Sequence, residues 1–420
     1  MDKSTRYKIF NDPIHGFITV PKGPILRLID HPYVQRLRRI RQLGLGYLVF
    51  PAAEHSRFSH ALGALELAQR VLNNLREKDT TISQPEYDGT LMAILLHDVG
   101  HGPLSHTLEH SLIQDFNHEM MSLSIMKELN REFEGELDTA ISIFTNQYKK
   151  KFLHQLISSQ LDLDRLDYLR RDSFFTGVSE GTVGINRILK TMRVFKGNIV
   201  IEKKGIYAIE NYIIARRLMY MQVYQHKTVL SADFLLRSIF KRVRKLIDEG
   251  QSLQFPSPPL EYFLREQPSA KKQISPKMID LYARLDDYDV YVCIKQWADA
   301  DDKILADLCF RFLNRDLFRT TFLDKKPGKA FQEEMKQKTA KALKRKRLPD
   351  DDQSISHYLS FERSYSEAYK YKNESIWILE DEQAVEFSKA AETKNIIALT
   401  EPVVKHYCIH LKSITPDKSH

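Results

Sequence analysis

Seven of the fifteen histidines in this 420-residue chain (His55, His60, His97, His101, His106, His110 and His118) fall between positions 55 and 118. Even spreading would place about two in a window of that size. Imidazole is the commonest metal ligand and the side chain that titrates nearest neutral pH, so the cluster points to metal binding or acid–base work. His97-Asp98 follows an apolar run, Leu91 to Leu96, and therefore stands at the end of a segment expected to be buried. Burying an imidazole and a carboxylate without partners costs several kcal/mol, whereas a divalent cation would satisfy both. Asp164, Tyr168 and Asp172 are spaced four residues apart and project from one helical face. Arg57 and His60, three apart, can point the same way.

Other catalytic signatures are missing. The chain has no GxxxxGK[ST] phosphate loop, no GxGxxG and no GxSxG, and His118-Glu-Met-Met-Ser122 departs from HExxH. Cys293, Cys309 and Cys408 form no CxxC pair, which excludes a disulfide scaffold and a cysteine–zinc site. A mixed His and Asp site remains. Nitrogen and oxygen donors without thiolate suit Fe, Mn, Zn or Co, and Mg less well where imidazoles dominate.

Helices must position these groups. Leu62, Leu65, Ala68, Leu72 and Leu75 recur at three- and four-residue steps and predict an amphipathic helix. Leu91, Ile94 and Leu95 mark a second, closed by Gly100 and Gly102-Pro103. A third is read through Leu153, Leu156, Ile157, Leu161, Leu163 and Leu166, and a fourth includes Ile213, Ile214, Leu218 and Met221. Before them, Pro13, Gly16, Pro21, Gly23 and Pro24 surround Phe17 to Val20, which reads as a hairpin or strand. Alternating apolar residues come late, at Ser375–Leu379, Asn395–Leu399 and Val403–Leu411, and read as strands. The expected fold class is mainly α, with a helical core over residues 1–310 and a small α+β region over 311–420.

Hydrophobic residues at 42% and charged residues at 28% are ordinary globular values. The longest local apolar run is far short of the ~20 residues of a membrane span. The first residues, Met1 to Arg6, lack the apolar stretch of a signal peptide. A soluble, cytoplasmic protein with no membrane partner is expected. Its net charge is +8, and the stretch Lys325 to Arg347, with ten basic residues against Glu333 and Glu334, accounts for all of it. That stretch reads as a solvated helix or mobile linker, or else as a contact for polyanions. Those would be nucleotide phosphates from a neighbouring subunit or single-stranded nucleic acid.

His60, then His97-Asp98, then Asp164 is the H…HD…D order, and the chain resembles the HD-domain metallophosphohydrolases. It is most similar to the HD core of their deoxynucleoside triphosphate triphosphohydrolases. The blocks that carry this resemblance are Phe10-Asn-Asp-Pro-Ile-His-Gly16, Gln35-Arg-Leu-Arg38, Gln42-Leu-Gly44 and Arg57-Phe-Ser-His60. They continue with His97-Asp-Val-Gly-His-Gly-Pro-Leu-Ser-His106, Asp164-Arg-Leu-Asp-Tyr168 through Asp172, and Tyr224-Gln-His-Lys227, covering residues 7 to 310 in consistent order.

The resemblance implies metal ligation by His60, His97, Asp98 and Asp164, and hydrolysis of dNTPs to deoxynucleoside and inorganic triphosphate. It implies that His118 is catalytic and that His101 and His106 face the α-phosphate, one of them protonating the leaving 5′ oxygen. Glu109 stands where the family has Asp beside its catalytic histidine. Arg57, Arg165 and Arg216 match triphosphate-binding positions, with Mg on the phosphates. Gln42 and Asp172 match contacts to the 3′ hydroxyl, Leu43 and Tyr168 the packing beneath the sugar, and Tyr224 and Gln225 the surroundings of the base.

Lys8, Asp30, Gln35 and Arg38 match a guanine-reading activator site between subunits. A homo-oligomer activated by GTP or a dNTP is therefore implied. Lys204 agrees with that site and Ala208 departs from it. Two alternatives stay open. One is another HD-type phosphohydrolase, a nucleotidase or phosphodiesterase; the other is a single-stranded nucleic-acid-binding protein using the basic segment.

Overall fold

The computed structural model describes residues 7–105, 107–270, 274–366, 369, 375–392 and 402–414. It is mainly helical with small sheets. An N-terminal hairpin, β1 (Tyr7–Asp12) and β2 (Gly16–Pro21), pairs antiparallel with Asp12 opposite Gly16. Gly16 sits at φ +76°, a conformation that disfavours any residue with a Cβ. The alternation turns Ile18 and Val20 into the core and leaves Tyr7, Ile9 and Phe17 exposed.

The Arg57–Glu77 helix starts where the Ser56 side chain accepts the amide of Ser59, and it buries the stripe of leucines and alanines read from the sequence. The Gln84–Leu96 helix opens with a reciprocal capping box between Ser83 and Glu86. From Thr90 to Leu96 every residue is buried, so this helix runs through the core and delivers His97 and Asp98 at its end.

The third expected helix is broken. Residues Lys151–Gln155 form one short helix and Leu163–Thr176 another. The physical cause is Asp162, whose carboxylate accepts the amides of Ser159 and Arg165 and so begins a new helix. Gly177, at φ +74°, closes that helix. The fourth, Ile206–Met219, widens into a π-helical turn over Tyr220–Tyr224. This extra residue per turn redirects Tyr224 toward Asp172, which its hydroxyl reaches at 2.8 Å.

Strands β3 (Met192–Phe195) and β4 (Asn198–Glu202) form a hairpin that the sequence reading lacked. With β7 (Trp377–Glu380) and β8 (Gln383–Glu386) it makes a sheet of order β3-β4-β7-β8, in which β4 and β7 run parallel. A second sheet joins β5 (Arg319–Leu323), β9 (Val403–His410) and β6 (Ser360–Ser366), all antiparallel. The Asn395–Leu399 stretch expected as a strand lies outside the described residues.

The basic segment is not a linker. It forms the Lys329–Arg345 helix, which buries Phe331, Met335, Thr339 and Leu343 at four-residue steps. Phe331 meets Phe361 of β6 with ring centroids 6.1 Å apart. Among the described residues, no helix is long and apolar enough to cross a membrane.

Candidate metal centre

Three helices converge on one point. His60 lies in the first turn of the Arg57–Glu77 helix, His97 and Asp98 end the Gln84–Leu96 helix, and Asp164 lies in the first turn of the Leu163–Thr176 helix. Donor atoms of His60, His97 and Asp164 all fall within 4.8 Å of one another. Asp164 Oδ1 is 3.1 Å from His60 Nε2 and 3.5 Å from His97 Nε2. Asp98 lies 3.8 Å from His60 Nε2 and 3.4 Å from His97 Nε2.

The ring tautomers suit ligation. His97 Nδ1 is 2.6 Å from the Ile94 carbonyl, which can only accept, so Nδ1 carries the proton. His60 Nδ1 lies 2.8 Å from Asp167 Oδ2 and donates in the same way. Both Nε2 atoms are buried without a hydrogen-bond partner among the described residues. Two orphaned lone pairs aimed between two carboxylates fit a divalent cation, and the nitrogen–oxygen donor set suits a transition metal or zinc.

Charge tells the same story. Burial lowers the His60 imidazole, but Asp164 and Asp167 outweigh it and push it up to about 10. Burial raises Asp98 and Asp164, yet the surrounding imidazoles, with Arg57 beside Asp98, hold both carboxyls below their ordinary range. A cation would take the place of the proton those carboxylates draw onto the ring.

His101 and His118 flank this centre. Their rings stack with centroids 3.9 Å apart, and His101 Nε2 is 3.3 Å from Asp98 Oδ1. Burial and then the Arg57 guanidinium hold the His101 imidazole well below its usual pKa. Gly100 permits the approach, since a Cβ there would come within 2.2 Å of the His118 carbonyl oxygen. Ser122 ties the loop down: its hydroxyl donates to the His97 carbonyl at 2.7 Å and accepts from the Gly100 amide at 2.9 Å. His106 and the side chain of Glu109 lie outside the described residues.

The residues expected around a substrate are placed unevenly. Arg57 is buried, donating to Asp98 Oδ2 at 2.5 Å and to Ser105 Oγ at 3.2 Å. Arg165 donates to the Ser159 carbonyl and to Asp162. Arg216 differs. Its Nε and Nη1 are buried with no hydrogen-bond partner among the described residues, and its guanidinium lies 5.9 Å from the Tyr220 ring centre.

Tyr168 stands between His60 and Tyr224, at ring distances of 6.5 and 6.1 Å. Asp172 has both oxygens engaged, one 2.7 Å from His55 Nε2 and the other accepting from Tyr224. Gln42 Oε1 is another buried atom without a described partner, and Leu43 beside it packs half-buried on the core. Gln225 turns toward β6, donating to the Tyr365 carbonyl at 3.2 Å.

The four residues expected to read an activator form two pairs. Lys8 meets Asp30 at 3.2 Å, and Arg38 donates to Gln35 at 2.8 Å. Sequence reasoning assigned Asp167, Arg171 and His15 no role, and His55 none beyond membership of the histidine cluster. Asp167 touches His60, His55 touches Asp172, and His15 and Arg171 both bind Asp167. A signal existed for Asp167: it follows Asp164 by three residues within an apolar-periodic helix, so a second carboxylate had to be buried there.

Comparison with known proteins agrees with this geometry. Residues 57–172 match the model of the HD domain, and residues 183–255 that of an HD associated region. An uncharacterized protein of Bacillus subtilis, YwfO, is 38% identical over 327 residues, spanning 76% of this chain and 72% of that one. The crystal structure of a phosphohydrolase from Bacteroides thetaiotaomicron is 39% identical with a TM-score of 0.91, covering 96% of this chain and 99% of the other. The human deoxynucleoside triphosphate triphosphohydrolase SAMHD1 is 30% identical over 286 residues, 57% of this chain but 45% of that protein.

Proposed function

Because this chain belongs to the HD-domain phosphohydrolase family, we propose that it hydrolyses deoxynucleoside triphosphates at the α-phosphorus, releasing a deoxynucleoside and inorganic triphosphate. The observation that carries this reading is Arg216. A buried guanidinium whose Nε and Nη1 lack partners among the described residues is costly unless an anion completes it, and Tyr168, also expected at the substrate, stands 6.5 Å from the His60 ring.

A cation held by His60, His97, Asp98 and Asp164 (Fe, Mn, Zn or Co in this donor set) would supply Lewis acidity and a bound water of lowered pKa. The chain does the rest. Arg57 fixes Asp98, and Arg216 with Arg165 binds the phosphate tail, which arrives with Mg. Gln42 and Asp172 hold the 3′ hydroxyl, while Leu43 and Tyr168 form the floor under the sugar. Tyr224 and Gln225 border the base. His101, His118 and His106 are the groups that exchange protons near the leaving 5′ oxygen, with Glu109 as their carboxylate partner. Activation by GTP or a dNTP through Lys8, Asp30, Gln35 and Arg38, in a cytoplasmic homo-oligomer, belongs to the same proposal.

One observation favours a second reading. Arg57 and Arg165 are engaged by Asp98 and Asp162, so a substrate with a shorter phosphate chain needs less rearrangement. Products decide between the two. The protein is incubated with each dNTP and rNTP, with Mn or Mg and with or without GTP, and the products are separated by ion exchange. Triphosphate plus deoxynucleoside is expected; stepwise release of phosphate, or equal turnover of ribonucleotides, overturns the dNTP reading.

A further inference from the structure

Asp167 is a fully buried carboxylate one helical turn beyond Asp164, and three side chains converge on it. His60 Nδ1 lies 2.8 Å from its Oδ2, and His15 Nε2 lies 2.7 Å from its Oδ1. Arg171, four residues on, forks onto both oxygens at 2.9 and 3.0 Å. The same guanidinium reaches Asp12 at 2.8 and 3.3 Å. Asp12 Oδ1 in turn accepts the amides of Ile14 and His15, which fixes the hairpin turn that carries His15.

No buried side-chain nitrogen or oxygen of Asp12, His15, Asp167 or Arg171 is left without a partner. A lone buried carboxylate would be too costly to ionise, but here Arg171 supplies its countercharge and Asp12 anchors Arg171. Space for the network comes from Gly63, three residues after His60. A Cβ there would fall 2.0 Å from Asp167 Oδ1 and 2.3 Å from Arg171 Nη2. Three separated sequence blocks, Asp12 to His15, His60 to Gly63, and Asp164 to Arg171, therefore meet at one carboxylate. The imidazole it grips is the one whose other nitrogen faces the metal centre.

We propose that Asp12, His15, Asp167 and Arg171 form a positioning relay that holds the His60 ring in its Nδ1–H tautomer and sets the affinity of the metal centre. This rests on the metal-ligand reading of His60. Asp167 accepts the Nδ1 proton, which leaves the Nε2 lone pair for a cation and keeps the ring from rotating. The N-terminal hairpin thus acts on a metal site to which it contributes no ligand.

The test measures binding of Co2+ alone to the full chain, by competition with a chelator and by the visible absorption of the bound ion. Folding is followed in parallel by circular dichroism and by thermal denaturation in excess chelator. Asp167→Asn and His15→Leu are expected to weaken Co2+ about 10- to 100-fold and alter its spectrum. His15→Gln, which keeps a donor to Asp167, is expected to recover much of the affinity. A purely structural role would lower the chelator-treated melting temperature but leave Co2+ affinity unchanged, and that result overturns the relay alone. Wild-type protein that binds no Co2+ overturns the metal-centre reading beneath it. Variants that all fail to fold would reduce the four residues to scaffold and also overturn the relay.

Discussion

Arg57 and Arg216 are both buried cations, but their surroundings differ, and so do the expected effects of losing them. Arg57 has Asp98 and Ser105 as partners. Removing it leaves Asp98 buried without its countercharge, so Arg57→Ala is expected to cost about 3–5 kcal/mol in urea denaturation. Arg216 has two buried nitrogens, Nε and Nη1, with no described partner. Replacing it by Met removes an uncompensated charge, so Arg216→Met is expected to stabilise the chain by about 1 kcal/mol while abolishing turnover of any triphosphate. A melting temperature that falls in Arg216→Met would show that this guanidinium serves the fold instead of an anion. At the centre itself, Asp164→Ala and Asp98→Ala are expected to lose both metal content, measured by elemental analysis of the purified protein, and activity.

Helices differ in what their sequence periodicity reveals. The leucine and alanine stripe of the Arg57–Glu77 helix is plain in the chain because a 3.6-residue repeat needs no knowledge of partners. The break at Asp162 was not plain, since an aspartate in an apolar pattern reads equally as a buried side chain or as a cap. The basic segment reads equally as a solvated helix or a linker for a related reason: its charge masks the sparse apolar stripe, Phe331, Met335 and Leu343, that makes it a packed helix. Packing predicts a sharp contrast on that helix. Leu343→Ala is expected to cost about 2–4 kcal/mol, and exposed Lys341→Ala to stay within about 0.5 kcal/mol, both by urea denaturation. Equal effects would mean the helix does not pack as described.

One apolar core runs from the N-terminal hairpin to β9, and it sets a pH response for the whole molecule. His357 is buried in it, and burial, then Lys241, Arg242 and Lys245, lower its imidazole to about 4. Above its ordinary value of 6.5 the ring is neutral whether folded or unfolded, and stability is unaffected. As pH falls from there toward 4, the unfolded chain takes up a proton that the folded one refuses. Stability therefore drops over that window, by at most about 3 kcal/mol. Denaturation midpoints between pH 7 and 4 should show this slope, and His357→Phe should flatten part of it.

By itself the sequence determined the residue types of the candidate metal centre, their order and their place on helices, because those properties are local: His60, His97-Asp98 and Asp164 each sit at a helix end that capping and periodicity define. Only the tertiary structure decided what those groups touch. That Asp167 holds His60, that His15 reaches Asp167 from 152 positions away, and that Arg57 is engaged while Arg216 lacks described partners are outcomes of packing. Burial makes each unpaired charge expensive, so partners far apart in the chain are selected by the space the core leaves, a quantity no stretch of sequence contains.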